Sequence, residues 1–416
     1  MKIAIVGAGV SGLVVAHRLH ERHEVTVFEE APRVGGHTNT VRVDLADATH
    51  HVDTGFIVHN DRNYPRFEAL MAKLGVQTQP SVMTFGVADT RGNFEYCSAS
   101  ANGLFANRAH LVQPWFHRMV AEIPRFQREA RALIDDVAAD GVSLGDWLHE
   151  RRYSPAFVER LIVPQASAVW SADPREMWRF PARFLARFFH NHGMLGLRDR
   201  PAWRTVAGGS QVYVDALVRP WRDRIRVGTP VTEIQRHDDH VAVRPGGGDF
   251  ERFDEVVLAV HSDQALRMLA DASGRERELL GAIPYQLNEA VLHTDRKLLP
   301  RRRRAWASWN YHLLDDPPSC TTVTYHMNSL QALSSHEQLC VTLNRTEAID
   351  PNRILGTFSY AHPVYTADGM LAQERHGEIS GRNRTHFCGA YWGWGFHEDG
   401  VVSGERVADA LEARAA

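Results

Sequence analysis

A glycine-rich turn near the start of the chain has the residue types and the spacing that bind phosphate. Gly7-Ala-Gly9-Val-Ser11-Gly12 follows a β-branched run and precedes a helical pattern. Gly7 permits a tight turn, Gly9 lets a pyrophosphate approach the backbone, and Gly12 lets the helix pack closely on the strand. The helix N-terminus then offers free N–H groups and a positive dipole end to the phosphates.

An acidic residue completes this unit. Glu24 to Phe28 has the pattern of a second buried strand, and it ends at Glu29, 22 residues after Gly7. A carboxylate there can accept hydrogen bonds from ribose hydroxyls and disfavours a 2′-phosphate. Strand, glycine turn, helix, strand and acid in this order predict a dinucleotide site, whereas the glycine turn alone could belong to another α/β fold.

The next residues indicate which dinucleotide. Arg33-Val-Gly35-Gly36-His37-Thr38 resembles the R-x-G-G-R segment of FAD-dependent amine oxidases and their phytoene-desaturase-like and protoporphyrinogen-oxidase-like relatives. In that superfamily the glycines let the chain pass over the pyrophosphate, and the first arginine pairs with phosphate charge. His37 replaces the second arginine, so one cation is weakened or becomes pH-dependent. The resemblance implies FAD as the cofactor.

Further segments continue the resemblance in the same order along the chain. One runs beside the flavin ring, one meets adenine through its backbone, one receives the ribityl chain, and a final helix directs its N–H groups at the flavin pyrimidine carbonyl. The cofactor contacts implied in this way are Gly7, Gly9, Ser11, Gly12, Glu29, Arg33, Gly35, Gly36, His37, Thr38, Gly55, Phe56, Val231, Gly389, His397 and Glu398. Ala390 departs from the family, which usually has Glu after the glycine.

The resemblance implies an α/β fold, with a Rossmann-like FAD-binding domain and an inserted α+β substrate domain of helices and an antiparallel sheet. The FAD-binding domain would be discontinuous, over 1–75, 203–285 and 383–416, and the substrate domain would comprise 76–202 and 286–382. The first stretch of the substrate domain has helical periodicity, and the second alternates apolar with polar residues, which predicts an antiparallel sheet. The expected helices are 108–136, 143–150, 155–163 and 181–192, and the expected strands are 290–293, 305–311, 321–327 and 338–343.

The catalytic candidates follow from the expected flavin chemistry, a two-electron transfer between a substrate C–H and N5. Amine oxidases usually carry a lysine near N5, but the corresponding strand, 287–293, has none, and Lys297 comes too late. Asn288 or Glu289 would face the flavin instead, although Glu289 also fits a solvated strand end. Tyr391 opens an aromatic run that either lines the pocket or packs in the core.

Composition excludes several function classes. With 416 residues, 44% of them hydrophobic, the chain can hold two to three globular domains. The net charge of −3 argues against nucleic acid. None of the four cysteines forms a C-x-x-C pair, so no metal site is predicted. No apolar stretch reaches about 20 residues, which predicts a cytoplasmic protein.

Peripheral contact with the inner face of a membrane remains an open alternative. Arg301 to Arg304, with Trp306 and Trp309 close behind, fits a solvated loop or a contact with lipid headgroups. The helix 179–190 fits a cover over the pocket or an entry helix on a membrane surface. The sequence does not predict an oligomeric state.

Two segments, 180–193 and 388–400, resemble a bacterial branch of the superfamily that is associated with fatty-acyl modification alongside cyclopropane-fatty-acid-synthase-like enzymes. Members of that branch that act in methylated furan fatty acid formation introduce a double bond into a methyl-branched acyl chain. The resemblance therefore implies an FAD-dependent desaturase or dehydrogenase of a lipophilic, fatty-acyl and phospholipid-borne substrate. The alternatives are an amine oxidase that produces hydrogen peroxide, a redox-neutral flavin isomerase, and a non-enzymatic FAD-holding protein.

Overall fold

The computed structural model describes residues 1–196, 200–316 and 319–415, and strands alternate with helices from the first residues on. The strands of the described residues are β1 (Lys2–Val6), β2 (Glu24–Phe28), β3 (Thr40–Asp44), β4 (Thr49–Asp53), β5 (His59–Asn60), β6 (Thr78–Pro80), β7 (Phe85–Asp89), β8 (Glu95–Cys97), β9 (Trp203–Val206), β10 (Ile225–Arg226), β11 (Val231–Arg236), β12 (Val241–Pro245), β13 (Glu251–Phe253), β14 (Glu255–Leu258), β15 (Tyr285–His293), β16 (Trp309–Leu313), β17 (Val323–His326), β18 (Cys340–Leu343), β19 (Ile354–Pro363) and β20 (Thr385–Phe387). The α-helices are α1 (Val10–Leu19), α2 (Pro65–Leu74), α3 (Ala101–Leu104), α4 (Pro114–Asp135), α5 (Leu144–Glu150), α6 (Pro155–Phe157), α7 (Val163–Trp170), α8 (Ala182–Asn191), α9 (Gln211–Val218), α10 (Ser262–Met268), α11 (Gly274–Gly281), α12 (Met327–Leu330), α13 (Ala367–Glu374) and α14 (His397–Ala415).

A five-stranded parallel sheet, in the order β10-β2-β1-β14-β20, forms the Rossmann-like part of the molecule. Its strands are apolar because helices cover the sheet, and their carboxyl ends meet at one edge because all pairs are parallel. This sheet confirms the predicted α/β fold. Its strands come from residues 2–28, 225–258 and 385–387, which lie inside the three stretches expected to bind FAD. The domain boundaries themselves stay a prediction.

A direct contact between the first and the last long helix completes this part of the fold. α1 and α14 pack against each other through glycines, and a Cβ on Gly404 would lie 2.6 Å from the carbonyl oxygen of Ser11. One turn earlier, a Cβ on Gly400 would lie 2.5 Å from the side chain of Val10. Because Gly400 lies in the first turn of α14 and meets Val10, the first residue of α1, the two N-termini lie side by side.

A seven-stranded mixed sheet, in the order β19-β15-β18-β17-β16-β7-β8, is the centre of the second part. Its pairs are antiparallel except for β16 with β7. Strands are present at all four places expected between residues 290 and 343, but the one expected from 305 begins at 309, because residues 303–305 form a 3-10 turn. β7, β8 and the ten-residue β19 were not expected. On β19, small and polar residues interrupt the apolar pattern, as expected for an edge strand.

Helices cover one face of this sheet and form a large apolar core with it. The four expected helices are present, with two differences. The segment expected from 108 begins as a 3-10 turn, Arg108–Val112, and α6 continues through a π-helical turn, Val158–Ile162, into α7. α8 packs on α4, and its Leu185 and Phe189 are buried, which favours a cover over the pocket rather than a helix on a membrane surface.

Smaller sheets join the two parts. β11, β12 and β13 form an antiparallel meander, and its second turn contains the glycines 246–248. β3 pairs with β4, and β5 and β6 pair with β9. Among the described residues, no helix is long and apolar enough to cross a membrane.

Gly404→Ala should destabilise the protein by about 1–3 kcal/mol, because the added methyl would meet the backbone of α1. Gly274→Ala is the matched control, since that helical glycine has open space at its Cβ position, and we expect a change within about 0.5 kcal/mol. Urea unfolding of the two variants measures both effects. Equal stability of the two variants would show that α1 and α14 do not pack this closely.

Candidate FAD and substrate site

The glycine turn after β1 leaves space at one position and none at its neighbours. A Cβ on Gly9 would meet nothing within 4 Å, whereas a Cβ on Gly12 would overlap the carbonyl oxygen of Gly7. Gly7 itself has φ 103° and lies against the backbone of Ala259. The open position therefore faces a volume that a ligand can occupy, at the N-terminus of α1, while the other glycines hold strand and helix together.

Glu29 lies at the end of β2, at the same sheet edge. Its carboxylate oxygens accept hydrogen bonds from the backbone N–H groups of Ala8, at 2.7 Å, and Ala31, at 2.9 Å. Each carboxylate oxygen has lone pairs for further donors, so ribose hydroxyls can still bind. The backbone of Glu29 also pairs with Thr229, two residues before Val231, which brings the expected adenine-side strand close to the ribose-binding acid.

The segment 33–38 crosses the glycine turn. Gly35 forms a β-bridge with Gly9, and the Arg33 guanidinium donates to the carbonyl oxygens of Gly36 and Thr38, both at 2.8 Å. Arg33 thus brings a positive charge to this segment and also fixes its shape.

His37 does not replace the missing arginine charge. Burial, and then the neighbouring His362 and His261, hold the pKa of His37 well below its usual value, so the ring is neutral at pH 7. Its Nε2 lies 3.2 Å from the carbonyl oxygen of Ala361 and therefore donates there. Of the two positive charges that the family has in this segment, the structure therefore retains one, on Arg33.

Asp53 is a fully buried carboxylate that joins three parts of the chain. It accepts hydrogen bonds from Thr40 Oγ1 at 2.5 Å, from the N–H and the hydroxyl of Ser210 at 2.9 and 2.7 Å, and from Gln331 Nε2 at 2.9 Å. Ser210 precedes α9 and Gln331 follows α12, so one side chain ties the flavin-facing segment to both. Burial raises the pKa of Asp53 to about 7 against the effect of these donors.

A buried chain of hydrogen bonds leads from the phosphate-side segment to the start of α14. Thr38 Oγ1 lies 2.8 Å from the hydroxyl of Tyr213, which lies 2.6 Å from Nε2 of His397. The His397 ring stacks on Phe56, with 3.7 Å between ring centroids, and burial lowers its pKa to about 3. Phe56, Thr38 and His397, predicted from separate segments, therefore lie together.

Two other predicted residues have side chains with structural roles. Glu398 accepts the backbone N–H groups of Arg66 and Phe67, each at 2.9 Å, and so caps α2. The ring of Tyr391 packs over Gly389 in the core that contains Phe387, and its hydroxyl has no hydrogen-bond partner among the described residues. Because the Glu398 carboxylate caps α2, only the backbone of Glu398 is available for a contact with the cofactor.

Asn288 and Glu289 point to opposite faces of β15, because successive side chains alternate along a strand. Glu289 is exposed and bonds to the hydroxyl of Thr346, whereas Asn288 is fully buried. Asn344 donates to Oδ1 of Asn288 at 2.7 Å, so Nδ2 of Asn288 donates to Nδ1 of His362 at 2.9 Å. The catalytic role of either residue stays a prediction, but only Asn288 joins the histidines beside segment 33–38.

Six aromatic residues, here named the aromatic cluster, fill the space between α8 and the start of α14. Phe184 lies 4.2 Å from Trp394, and Phe188 lies 5.3 Å from Phe396, measured between ring centroids. Phe396 contacts the apolar cores of both parts of the molecule. The members are Trp170, Phe184, Phe188, Tyr365, Trp394 and Phe396.

The polar atoms at this cluster are few. The hydroxyl of Tyr365 is buried without a hydrogen-bond partner among the described residues, and it lies where a Cβ on Gly395 would stand. Asp399 borders the cluster and accepts the N–H of Phe396 at 2.9 Å, while burial raises its pKa to about 6. The cluster is therefore an apolar wall whose polar groups include the Tyr365 hydroxyl, the Asp399 carboxylate and the buried indole N–H of Trp170, and His192 stacks on its Phe188 at 3.9 Å.

Comparison with known proteins identifies the family. The family described as flavin containing amine oxidoreductase matches residues 10–336, which is most of the chain. The chain belongs to this family. FAD is thus its cofactor, and the family is one of FAD-dependent oxidoreductases. The site fits that cofactor, because the open Gly9 position, the α1 and α14 N-termini and Glu29 line one edge of the parallel sheet.

Individual relatives cover parts of the chain. AofH of Mycobacterium tuberculosis (strain CDC 1551 / Oshkosh), which carries the name of a flavin-containing monoamine oxidase, is 28% identical over 266 residues, 60% of this chain and 54% of that protein. A 4,4'-diapophytoene desaturase of Staphylococcus aureus (strain bovine RF122 / ET3-1) is 51% identical over 45 residues, 11% of this chain and 9% of the relative. The chain spans about half the length of AofH.

A solved structure resembles the whole fold. A putrescine oxidase bound to putrescine has a TM-score of 0.71 and 15% sequence identity, with 99% of both chains covered. This likeness confirms the fold that the family membership implies.

Several residues of the site were not predicted, namely Tyr213, His261, His362 and Tyr365. Each lies far along the sequence from the residues it meets, so no local spacing marks it. The sequence contains one indication of such residues. A hydroxyl-bearing or imidazole side chain in an otherwise apolar segment is expected to be buried, and it then needs a hydrogen-bond partner.

Gly9→Ala should weaken FAD binding without unfolding the FAD-free protein, because its Cβ enters the open volume and not the protein. Gly12→Ala should destabilise the FAD-free protein by about 1–3 kcal/mol, because its Cβ meets the backbone of Gly7. Thermal unfolding of the FAD-free variants and titration with FAD separate the two effects. A Gly9→Ala variant that binds FAD as tightly as the wild type would contradict the assignment.

Asp53 should make stability depend on pH in an unusual direction. Its folded-state pKa of about 7 lies above that of an unfolded Asp, so its contribution is fully present below about pH 4 and is lost as pH rises through 7. Asp53→Asn should therefore destabilise more at pH 5 than at pH 8, with a difference of up to about 2.5 kcal/mol. The exposed Asp249→Asn is the control. A larger loss at pH 8 in urea unfolding would mean that the buried group is a stabilised carboxylate.

Proposed function

We propose that the chain is an FAD-dependent dehydrogenase or desaturase of a lipophilic, fatty-acyl substrate. The observation that carries this proposal is the aromatic cluster, which meets the start of α14 at Phe396, directly before His397. Aromatic walls bind hydrocarbon and exclude water. When bound, FAD supplies a two-electron acceptor for a substrate C–H.

The titratable groups beside the expected flavin position support an uncharged substrate. Burial raises the pKa of Tyr365 and Tyr391 and lowers the pKa of His362 to about 4, so all three are neutral at pH 7. An ammonium group would lose hydration there without gaining a charged partner from them. Family amine oxidases usually have a lysine on this strand, whereas Asn288 holds the buried position here.

In this proposal the chain's own side chains orient the substrate and hold protons in place. Asn288 accepts from Asn344 and donates to Nδ1 of His362, which leaves the His362 proton on Nε2. The unpartnered hydroxyl of Tyr365, at the aromatic cluster, can donate to a polar group of the substrate or to a water that accepts a substrate proton. Glu289 has no part in the proposal, because its side chain is exposed on the outer face of β15.

Amine oxidation is the second candidate, and a specific residue favours it. Asp399 at the edge of the aromatic cluster has a pKa of about 6 and is largely ionised at pH 7, so it can pair with an ammonium group. The partial similarity to AofH points in the same direction.

Anaerobic mixing of the flavin-loaded protein with substrates separates the candidates. We expect fatty-acyl phospholipid to remove the yellow absorbance of the flavin, while simple amines leave it unchanged. Phe184→Ala should lower the acyl reduction rate about tenfold or more, because the wall loses its contact with Trp394. Asp399→Asn, which keeps an oxygen for the Phe396 N–H, should leave that rate unchanged.

Other outcomes have distinct meanings. Reduction by amines that Asp399→Asn abolishes would replace the first candidate with the second. A rearranged acyl product without flavin reduction would indicate a redox-neutral isomerase and overturn both. Absence of bound FAD after purification and FAD addition would overturn every catalytic candidate.

A further inference from the structure

An exposed apolar turn stands out on the surface of the helical layer. The 3-10 turn that precedes α4 carries Leu111 and Val112, and the first turn of α4 carries Trp115; their exposed fractions are 52%, 82% and 37%. An exposed fraction of 82% for a valine requires a protruding position. The buried His110 stacks on Phe116 at 4.2 Å and fixes the base of the turn, so the projection is a built feature of the fold.

A group of arginines adjoins this turn through the loop between β7 and β8. Asn107 at the foot of the turn donates to the carbonyl oxygen of Asn93, and Arg302 donates to the neighbouring carbonyl oxygen of Gly92. Trp115 lies 5.9 Å from Phe94, and Arg160 lies over both rings. The apolar turn and the arginine run 301–304 thus border the same short loop.

Most of this positive charge is uncompensated. Arg302 pairs with the buried Glu95, whose carboxylate also accepts the N–H groups of Arg301 and Arg302. Arg301, Arg303 and Arg304 are exposed, and none of them has a carboxylate within ion-pair distance in the part of the chain that the structure describes. This local excess contrasts with the net charge of −3 of the whole chain.

We infer that this surface, formed by Leu111, Val112, Trp115, Arg301, Arg303 and Arg304, docks the protein on an anionic phospholipid membrane. Protruding aliphatic and indole side chains enter the interfacial layer, and guanidinium groups beside them bind lipid phosphates. A nucleic acid would use the arginines but not the protruding Leu and Val. The inference is independent of the substrate proposed above, since docking requires no turnover.

The location differs from the two that the sequence suggested. Trp306 and Trp309 are half-buried, and the indole of Trp306 donates to the carbonyl oxygen of Pro300. α8 is packed inside the helical layer. The arginine run, for which the sequence left open a solvated loop or a headgroup contact, belongs to the inferred surface, but its apolar neighbours come from residues 111–115, almost two hundred residues earlier.

Sedimentation of the flavin-loaded protein with vesicles tests the inference. We expect binding to vesicles of phosphatidylcholine and phosphatidylglycerol in equal parts, and little binding to phosphatidylcholine alone. Raising the ionic strength from about 0.1 M to about 1 M should release the protein, because the Debye length falls from about 10 Å to about 3 Å. Wild-type protein that stays in the supernatant with the anionic vesicles would overturn the inference.

Two double variants with matched controls locate the surface. Arg303→Gln/Arg304→Gln should weaken binding about 25-fold, at about fivefold for each charge, and Leu111→Ser/Val112→Ser should weaken it about tenfold. The controls Arg219→Gln/Arg277→Gln and Val227→Ser/Leu371→Ser change residues exposed elsewhere and should bind as wild type. Retained flavin absorbance checks the fold of each variant.

Three results would contradict this assignment. Test variants that bind as tightly as their controls would place the lipid contact elsewhere. Tighter binding to duplex DNA than to the anionic vesicles would make the partner a nucleic acid. Conversion of a dimer to a monomer by Leu111→Ser/Val112→Ser, in size-exclusion chromatography, would make the turn an interface between two copies of the chain.

Discussion

The backbone contact between α1 and α14 is the constraint on which the cofactor site depends. Two helices approach this closely only where residues without a side chain lie between them, and on α14 these residues are Gly400 and Gly404. The contact places two helix N-termini side by side, and each contributes unpaired N–H groups and a positive dipole end. The site can therefore receive phosphate and flavin oxygens with one arginine where two would be expected.

Buried polar groups then position the remaining segments around that pair of helices. Asp53 joins the flavin-facing segment to α9 and to Gln331, and Tyr213 joins Thr38 to His397. Hydrogen bonds of this kind are directional, and leaving one member unpaired costs more than the bond contributes. They consequently fix which segments meet, whereas the aromatic cluster supplies contact area with less directional preference.

The FAD-binding part of the fold could be predicted from sequence because its determinants are local. Gly7, Gly9 and Gly12 act within a few residues, and strand and helix periodicity surround them. The environment of His37 could not be predicted, because its neutral state depends first on burial and then on His362 and His261, which lie more than two hundred residues away. The position of Tyr365 in the aromatic cluster could not be predicted either, because the residues that it meets are also distant in the sequence. For Asn288 and Glu289 the choice depended on strand register, which the partner strands β18 and β19 define.

The distance along the chain between α1 and α14 has a consequence for biosynthesis. Nearly four hundred residues separate the helices whose contact builds the cofactor site, and the last strand of the parallel sheet, β20, lies beside α14 in sequence. While a ribosome is still translating the intervening stretch, the glycine turn has no partner helix, and its sheet lacks an edge strand. Completion of the flavin site therefore waits until β20 and α14 have been synthesised, long after the glycine turn.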